Sequence, residues 1–241
     1  MMNIRGACFF LVLFLLIGGG AIAAETPAVH AAIQPVSREG DWWSERHASV
    51  VAQAQKGEAQ LILIGDSITH SWESQPALVE KFFGKYKPIN MGFGGDRTEH
   101  VLWRLDHGEI DGISPKAAML MIGTNNSKDD EYTAEQIGDG IIAIVQKLRQ
   151  KLPTTKVLVL AIFPRGEGPS PQREKNAKAS EIASKVADGE AVFFLDIGDK
   201  FLQPDKSLTK EIMPDLLHLS EKGYEIWGEA VTPKLKEMIG E

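Results

Sequence analysis

From Gln60 onward the chain alternates short apolar runs with longer amphipathic stretches. Gln60–Ile64, Pro88–Met91, Ala117–Ile122, Lys156–Ile162 and Ala191–Asp196 read as strands. They show little period-2 alternation, as expected for strands covered on both faces. Helical spacing marks Trp42–Gln55, where Trp43, His47, Val50, Val51 and Ala54 share one side, and residues 74–85, 97–106, 133–151, 172–187 and 220–239. Thr133 and Gln136 form a capping box, and Ser170-Pro171 sets proline at a first helical position. Repeated strand–helix–strand means a parallel sheet with helices on both faces, a three-layer α/β arrangement. Residues 24–40 are alanine, proline and polar, and read as a loose leader. The Trp42-Trp43 pair reads as packing rather than function.

In an open parallel sheet, ligands bind beyond the carboxyl ends of the strands. Small and polar residues gather there: Gly65-Asp66-Ser67 after the first strand, Gly92–Asp96 after the second, Gly123–Asn126 after the third, Pro164–Gly166 after the fourth. A longer segment after the fifth ends in Pro214–His218. Alone, each piece is weak. Gly-Asp-Ser is a common turn, Gly92-x-Gly94 lacks the third glycine of a dinucleotide loop because position 97 is Arg, and Asp215-x-x-His218 could be a surface ion pair. The other histidines show no metal-ligand spacing, so no metal or cofactor is expected.

Together they suit acyl transfer, which needs a nucleophile, a base, a group orienting that base, and donors for the developing oxyanion. A serine hydroxyl attacks well only when an imidazole takes its proton, and a carboxylate on the other ring nitrogen fixes the tautomer. No G-x-S-x-G elbow is present, so the usual α/β-hydrolase arrangement is not supported.

Composition narrows the setting. The 241 residues suit one domain with its own core; the net charge is -7 with no basic stripe, which argues against a nucleic-acid partner. Arg5, the apolar run Cys8–Ile17, Gly18–Gly20 and Ala21-Ile22-Ala23 read as a secretory signal peptide over residues 1–23. An uncleaved anchor is the alternative, though the run falls short of the ~20 residues a span needs. Cleavage would remove Cys8, the only cysteine, leaving no thiol nucleophile and no membrane span in the mature protein.

The four blocks Gly65-Asp66-Ser67, Gly92–Asp96, Gly123-Thr124-Asn125 and Asp215-x-x-His218, in this order, resemble the SGNH (GDSL-type) hydrolases. The stretches "GFGGDRTEHVLWRLDHGEI", "PKAAMLMIGTNN", "PRGEGPSPQREKNAK" and "PDLLHLSEKGY" look closest to the catalytic subunits of platelet-activating-factor acetylhydrolases. The resemblance implies a flavodoxin-like five-stranded parallel sheet, with a hydrolase domain over residues 59–241 behind a leader and helix at 24–58. It implies Ser67 as nucleophile, His218 as base and Asp215 orienting it. Ser67 and Gly95 backbone N–H groups and the Asn125 amide would serve the oxyanion, and Asp66 would hold the turn. The expected function is a secreted esterase for short acyl groups, with acetylated carbohydrate as substrate and a homodimer allowed. Acyl lipid is the alternative alcohol. A non-catalytic carbohydrate-binding module on the same fold is the alternative class.

Overall fold

The computed structural model describes residues 29–241. The signal-peptide expectation for residues 1–23 lies outside the described residues. In chain order the elements are α1 (Asp41–Ala54), β1 (Leu61–Gly65), the single turn α2 (Ser67–His70), α3 (Pro76–Phe83), β2 (Ile89–Gly92), α4 (Thr98–Asp106) and β3 (Ala117–Met121). There follow α5 (Ala134–Lys151), β4 (Lys156–Leu160), α6 (Pro171–Ser184), β5 (Val192–Leu195) and α7 (Glu221–Ile239).

All strand pairs are parallel, and the order is β2-β1-β3-β4-β5. This is the flavodoxin-like order. Its reversal point lies at β1, between β2 and β3, where ligands bind in such sheets. The absence of alternation in the strands now has its cause. All five residues of β1 are buried, with Ile62 and Ile64 facing one apolar layer and Leu61 and Leu63 the other. The first layer includes α1, α4 and α5; the second includes α3 and α7. A fully buried aliphatic side chain contributes about 1.5–3 kcal/mol, so a strand buried on both faces gains twice what a half-exposed one does.

Helix ends follow local chemistry. Thr133 Oγ1 accepts from Gln136 N–H at 3.2 Å, while Gln136 Oε1 accepts from Thr133 N–H at 3.0 Å. Ser170 and Ser220 accept from the N–H groups of Arg173 and Gly223.

The leader differs from its expectation. Between Ala32 and Val36 it docks on the fold: Ala32 is fully buried, its carbonyl accepts from Thr98 Oγ1 at 2.9 Å, and Val36 N–H donates to the Glu99 carbonyl at 3.2 Å. A proline- and alanine-rich segment has no periodicity to advertise such docking, because its hold comes from backbone groups and one small side chain.

Two glycines bring the site-bearing turn onto the sheet. Gly65 and Gly92 are in register across β1 and β2. A Cβ on Gly65 would collide with Thr69 Oγ1 and the Met121 carbonyl; one on Gly92 would collide with the backbone of Thr69 and His70. Only hydrogen at these positions lets α2 sit against the strand ends. Gly92→Ala should therefore cost on the order of 1–3 kcal/mol, the usual range for overpacking. Urea denaturation followed by ellipticity checks this, and an unchanged midpoint would contradict the close approach.

Candidate active site

β1 ends in Asp66 and Ser67. The Asp66 carboxylate caps α2, with Oδ1 accepting from Ile68 N–H at 3.0 Å. Asp66 is fully buried, and burial pushes its carboxyl up to about 7 against the lowering effect of the Ile68 N–H, with the Asp96 charge adding to the rise. The turn thereby sets Ser67 at the first position of α2, where its own N–H has no backbone partner among the described residues.

Ser67 Oγ lies 2.9 Å from His218 Nε2, and His218 Nδ1 lies 2.7 Å from Asp215 Oδ2. Asp215 Oδ1 also accepts from the N–H groups of Leu217 at 3.0 Å and His218 at 2.7 Å. Partial burial pushes the Asp215 carboxyl up, but the three hydrogen bonds together outweigh it and hold it below its ordinary value. A carboxylate anchored this way fixes Nδ1 as the protonated ring nitrogen and leaves Nε2 as acceptor toward the serine.

The segment carrying His218 is hung on its neighbours. Gly166 N–H donates to the Leu216 carbonyl at 2.8 Å, and Arg173 donates to the carbonyls of Arg165 and Gly166. Leu216 has φ +61°, a left-handed conformation that costs a non-glycine residue about 1–2 kcal/mol and that these bonds sustain. From the other side, Tyr224 Oη donates to the Ile68 carbonyl at 2.6 Å, tying α7 to α2. Arg165, after β4, is half-buried and donates to Thr124 O and Oγ1 at 3.1 and 3.2 Å. Burial pulls its guanidinium down, and the nearby Asp66 and Asp215 charges oppose this. Arg97 is engaged with Glu131 at 2.6 Å and lies over the Tyr132 ring.

Asn125 and Gly95 meet through Asp96. One N–H of the Asn125 amide donates to the Asp96 carbonyl at 2.9 Å. An amide NH2 has two hydrogens, so this bond fixes the rotamer and leaves the second free for a ligand. Gly95, at φ +80°, has an N–H with no backbone partner among the described residues. The Asp96 side chain is gripped from beneath: Oδ2 accepts from Arg104 Nε at 2.8 Å, and Oδ1 accepts from Trp43 Nε1 at 2.9 Å and Arg38 Nη1 at 3.2 Å. Arg104 also pairs with Glu109 at 2.5 Å and lies 3.9 Å over the Phe93 ring. Asp96, Arg104 and Glu109 are all fully buried.

Trp43 is thus packing with a polar handle, as expected of the tryptophan pair, but Trp42 is 49% exposed. It leans on Gly94: a Cβ there would stand 3.7 Å from Trp42 Cη2 and 4.0 Å from both His70 Nδ1 and Ser67 Cβ. His70, read from sequence as an ordinary histidine, also borders the serine. Burial and then the Arg46 charge hold its imidazole below its ordinary value. Neither carried a sequence signal of its own: Trp42 and Trp43 differ only in the side of α1 they occupy, and His70 has no distinguishing neighbour in the chain. Among the described residues, no group of three or more His, Cys, Asp or Glu could hold a metal ion, and no helix is long and apolar enough to cross a membrane.

The GDSL-like Lipase/Acylhydrolase family profile matches residues 63–226. Platelet-activating factor acetylhydrolase IB subunit alpha1 of Homo sapiens is 38% identical over 193 residues, covering 80% of this chain and 81% of that protein. A GDSL-like lipase structure from Bacteroides thetaiotaomicron superposes with a TM-score of 0.62 at 17% identity, covering 80% of this chain and 97% of that one. A carbohydrate acetylesterase structure from Sinorhizobium meliloti gives a TM-score of 0.58 at 20% identity, covering 75% and 99%. The chain belongs to the GDSL-like lipase/acylhydrolase family. It has the three-layer SGNH fold and is a carboxylic-ester hydrolase.

The buried cluster yields a test through pH. Two carboxylates share one buried guanidinium, and burial pushes Glu109 up to about 7 despite Arg104. Folding then takes up a proton between the unfolded carboxylate value and about 7, so this group's contribution to stability falls as pH rises across that window. Glu109→Gln cannot titrate. Wild-type stability minus that of Glu109→Gln should therefore decline between about pH 5 and pH 7.5 in urea titrations, because other titrating groups are common to both proteins. A difference independent of pH contradicts the assignment.

Proposed function

We propose that the chain is an exported serine esterase that removes acetyl or similarly short acyl groups from carbohydrate. The observation that carries the chemistry is the chain of contacts Ser67 Oγ–His218 Nε2 at 2.9 Å and His218 Nδ1–Asp215 Oδ2 at 2.7 Å. In this reading Ser67 Oγ attacks the ester carbonyl carbon and His218 Nε2 takes its proton. The carbonyl oxygen becomes an anion held by Ser67 N–H, Gly95 N–H and the free N–H of the Asn125 amide. As the C–O bond to the alcohol breaks, His218 returns the proton to the departing oxygen. Water, deprotonated by His218, then attacks the acyl-serine; the acid leaves and Ser67 recovers its proton. Asp215 stabilises the imidazolium in both halves and stays ionised.

The His218 and Asp215 side chains are 40% and 55% exposed, so the reacting centre opens directly to solvent. An open centre accepts an ester projecting from a bulky polymer. The exposed large apolar residues among the described ones are Val29, Val36 and Trp42. The leader at residues 1–23 supports export to where such polymers lie. The carbohydrate acetylesterase of like fold and the acetylhydrolase relatives agree with a short acyl group.

Ser67→Ala should abolish turnover, and Asn125→Ala should lower kcat by on the order of 10²–10³ while leaving KM nearly constant, because oxyanion donors act in the transition state. Acid release from p-nitrophenyl esters of rising chain length measures both, with acetate expected fastest. Full activity in Ser67→Ala would refute the nucleophile, and preference for acyl chains of eight or more carbons would refute the short-acyl reading.

A further inference from the structure

We propose that Trp42, with Arg38 and His70 beside it, forms a sugar-binding platform on the alcohol side of the reacting centre. This rests on the esterase reading above and deepens it by naming the residues that select carbohydrate.

Trp42 is the only exposed large aromatic among the described residues, half-exposed in the first turn of α1. Its ring is held from beneath, with the Phe93 ring edge-on at 6.4 Å and the His70 ring tilted at 5.7 Å. Leaving such a ring half in water forgoes part of the largest apolar burial a side chain can offer, so its position invites an occupant. It also stands beside the site. Gly94 separates it from Ser67, and Gly94 adjoins the Gly95 N–H proposed for the oxyanion.

The surroundings choose the class of occupant. Arg38 Nη1 donates to the Gly94 carbonyl at 2.6 Å, which fixes the guanidinium at the rim while its side chain stays 32% exposed. Its hydrogen bonds among the described residues all come from Nη1, leaving Nε and Nη2 as donors. His70 turns Nδ1 toward Gly94 and Nε2 toward Glu73 at 3.4 Å. A flat π face ringed by fixed planar donors and acceptors is complementary to a pyranose. The C–H bonds of one sugar face meet the negative face of the indole, and the equatorial hydroxyls meet the polar rim. A quaternary ammonium would also favour the indole face, but the Arg38 guanidinium on the Gly94 carbonyl sets a positive charge beside it, and the Asp96 carboxylate that pairs with Arg38 is fully buried.

The experiment compares three acetyl esters on wild type, Trp42→Phe and Trp42→Ala: an acetylated β-linked oligosaccharide, ethyl acetate, and a monomeric 2-acetyl glycerophosphocholine, with acid release followed by pH-stat. Ethyl acetate presents almost no alcohol to stack and reports the chemistry alone. The expected result is a fall of about tenfold or more in the ratio of kcat/KM for oligosaccharide to that for ethyl acetate in Trp42→Ala. It should appear mainly in KM, and Trp42→Phe should keep most of the ratio. An unchanged ratio in Trp42→Ala overturns the platform while leaving the esterase reading intact, as does a fall in which both esters drop equally. Loss confined to the phosphocholine ester overturns it in favour of a choline-binding ring. A wild type that hydrolyses ethyl acetate but no acetylated sugar overturns the carbohydrate reading itself.

Discussion

The site depends on how Asp96 is held. Its backbone carbonyl fixes the Asn125 amide, and its carboxylate is locked from below by Arg104, Trp43 and Arg38. One residue therefore joins the loop after β2 to the loop after β3 and ties both to helices α1 and α4. A buried ion pair gains little net stability, because desolvation consumes the attraction, yet losing one partner strands the other at about 3–5 kcal/mol. Such an arrangement rewards a single geometry and penalises departures from it. That is what donors aimed at a transient oxyanion need: they must already point at the charge before it develops, so that no reorganisation is required during the reaction.

The opposite wall is built on other terms. His218 and Asp215 sit partly exposed on a loop anchored by buried Met213 and Leu219, and hydrogen bonds to neighbouring backbone set their orientation. The strained Leu216 and the carbonyl contacts of Gly166 set the angle at which the imidazole returns to Ser67. The molecule thus pairs a rigid, charge-locked donor side with a base reached directly from solvent. In the proposed function, this division suits an ester carried on a large alcohol, with selection of that alcohol falling to the rim near Trp42.

Much of this was legible in the chain. The continuous apolar runs located all five strands, because strands covered on both faces have no polar side to reveal. Thr133, Ser170 and Ser220 marked helix starts through short-range chemistry that a sequence displays directly. Ser67, Gly95, Asn125, Asp215 and His218 are singled out by four blocks that resemble the SGNH hydrolases, and the structure joins Ser67, His218 and Asp215 in one hydrogen-bonded chain. The remainder depends on contacts between distant positions. Arg104 and Glu109 look like ordinary charges on a helix and its following turn; nothing in their spacing says that both are fully buried under a loop already read as glycine-rich. Trp42 and Trp43 look alike in sequence, and only the direction of α1 sends one to Asp96 and the other to the rim of the site. The docking of Ala32 and Val36 is made by backbone groups, to which sequence patterns are blind.

The most direct test of the convergence at the heart of this account is a crystal structure of the protein carrying a small alkyl phosphonate on Ser67, a stable mimic of the tetrahedral intermediate. The account predicts one phosphonyl oxygen within hydrogen-bond distance of Ser67 N, Gly95 N and Asn125 Nδ2 together, with the Asn125 amide still on the Asp96 carbonyl and His218 Nε2 facing the serine oxygen. A phosphonyl oxygen turned to solvent, with Gly95 N–H and the Asn125 amide out of reach, would contradict it.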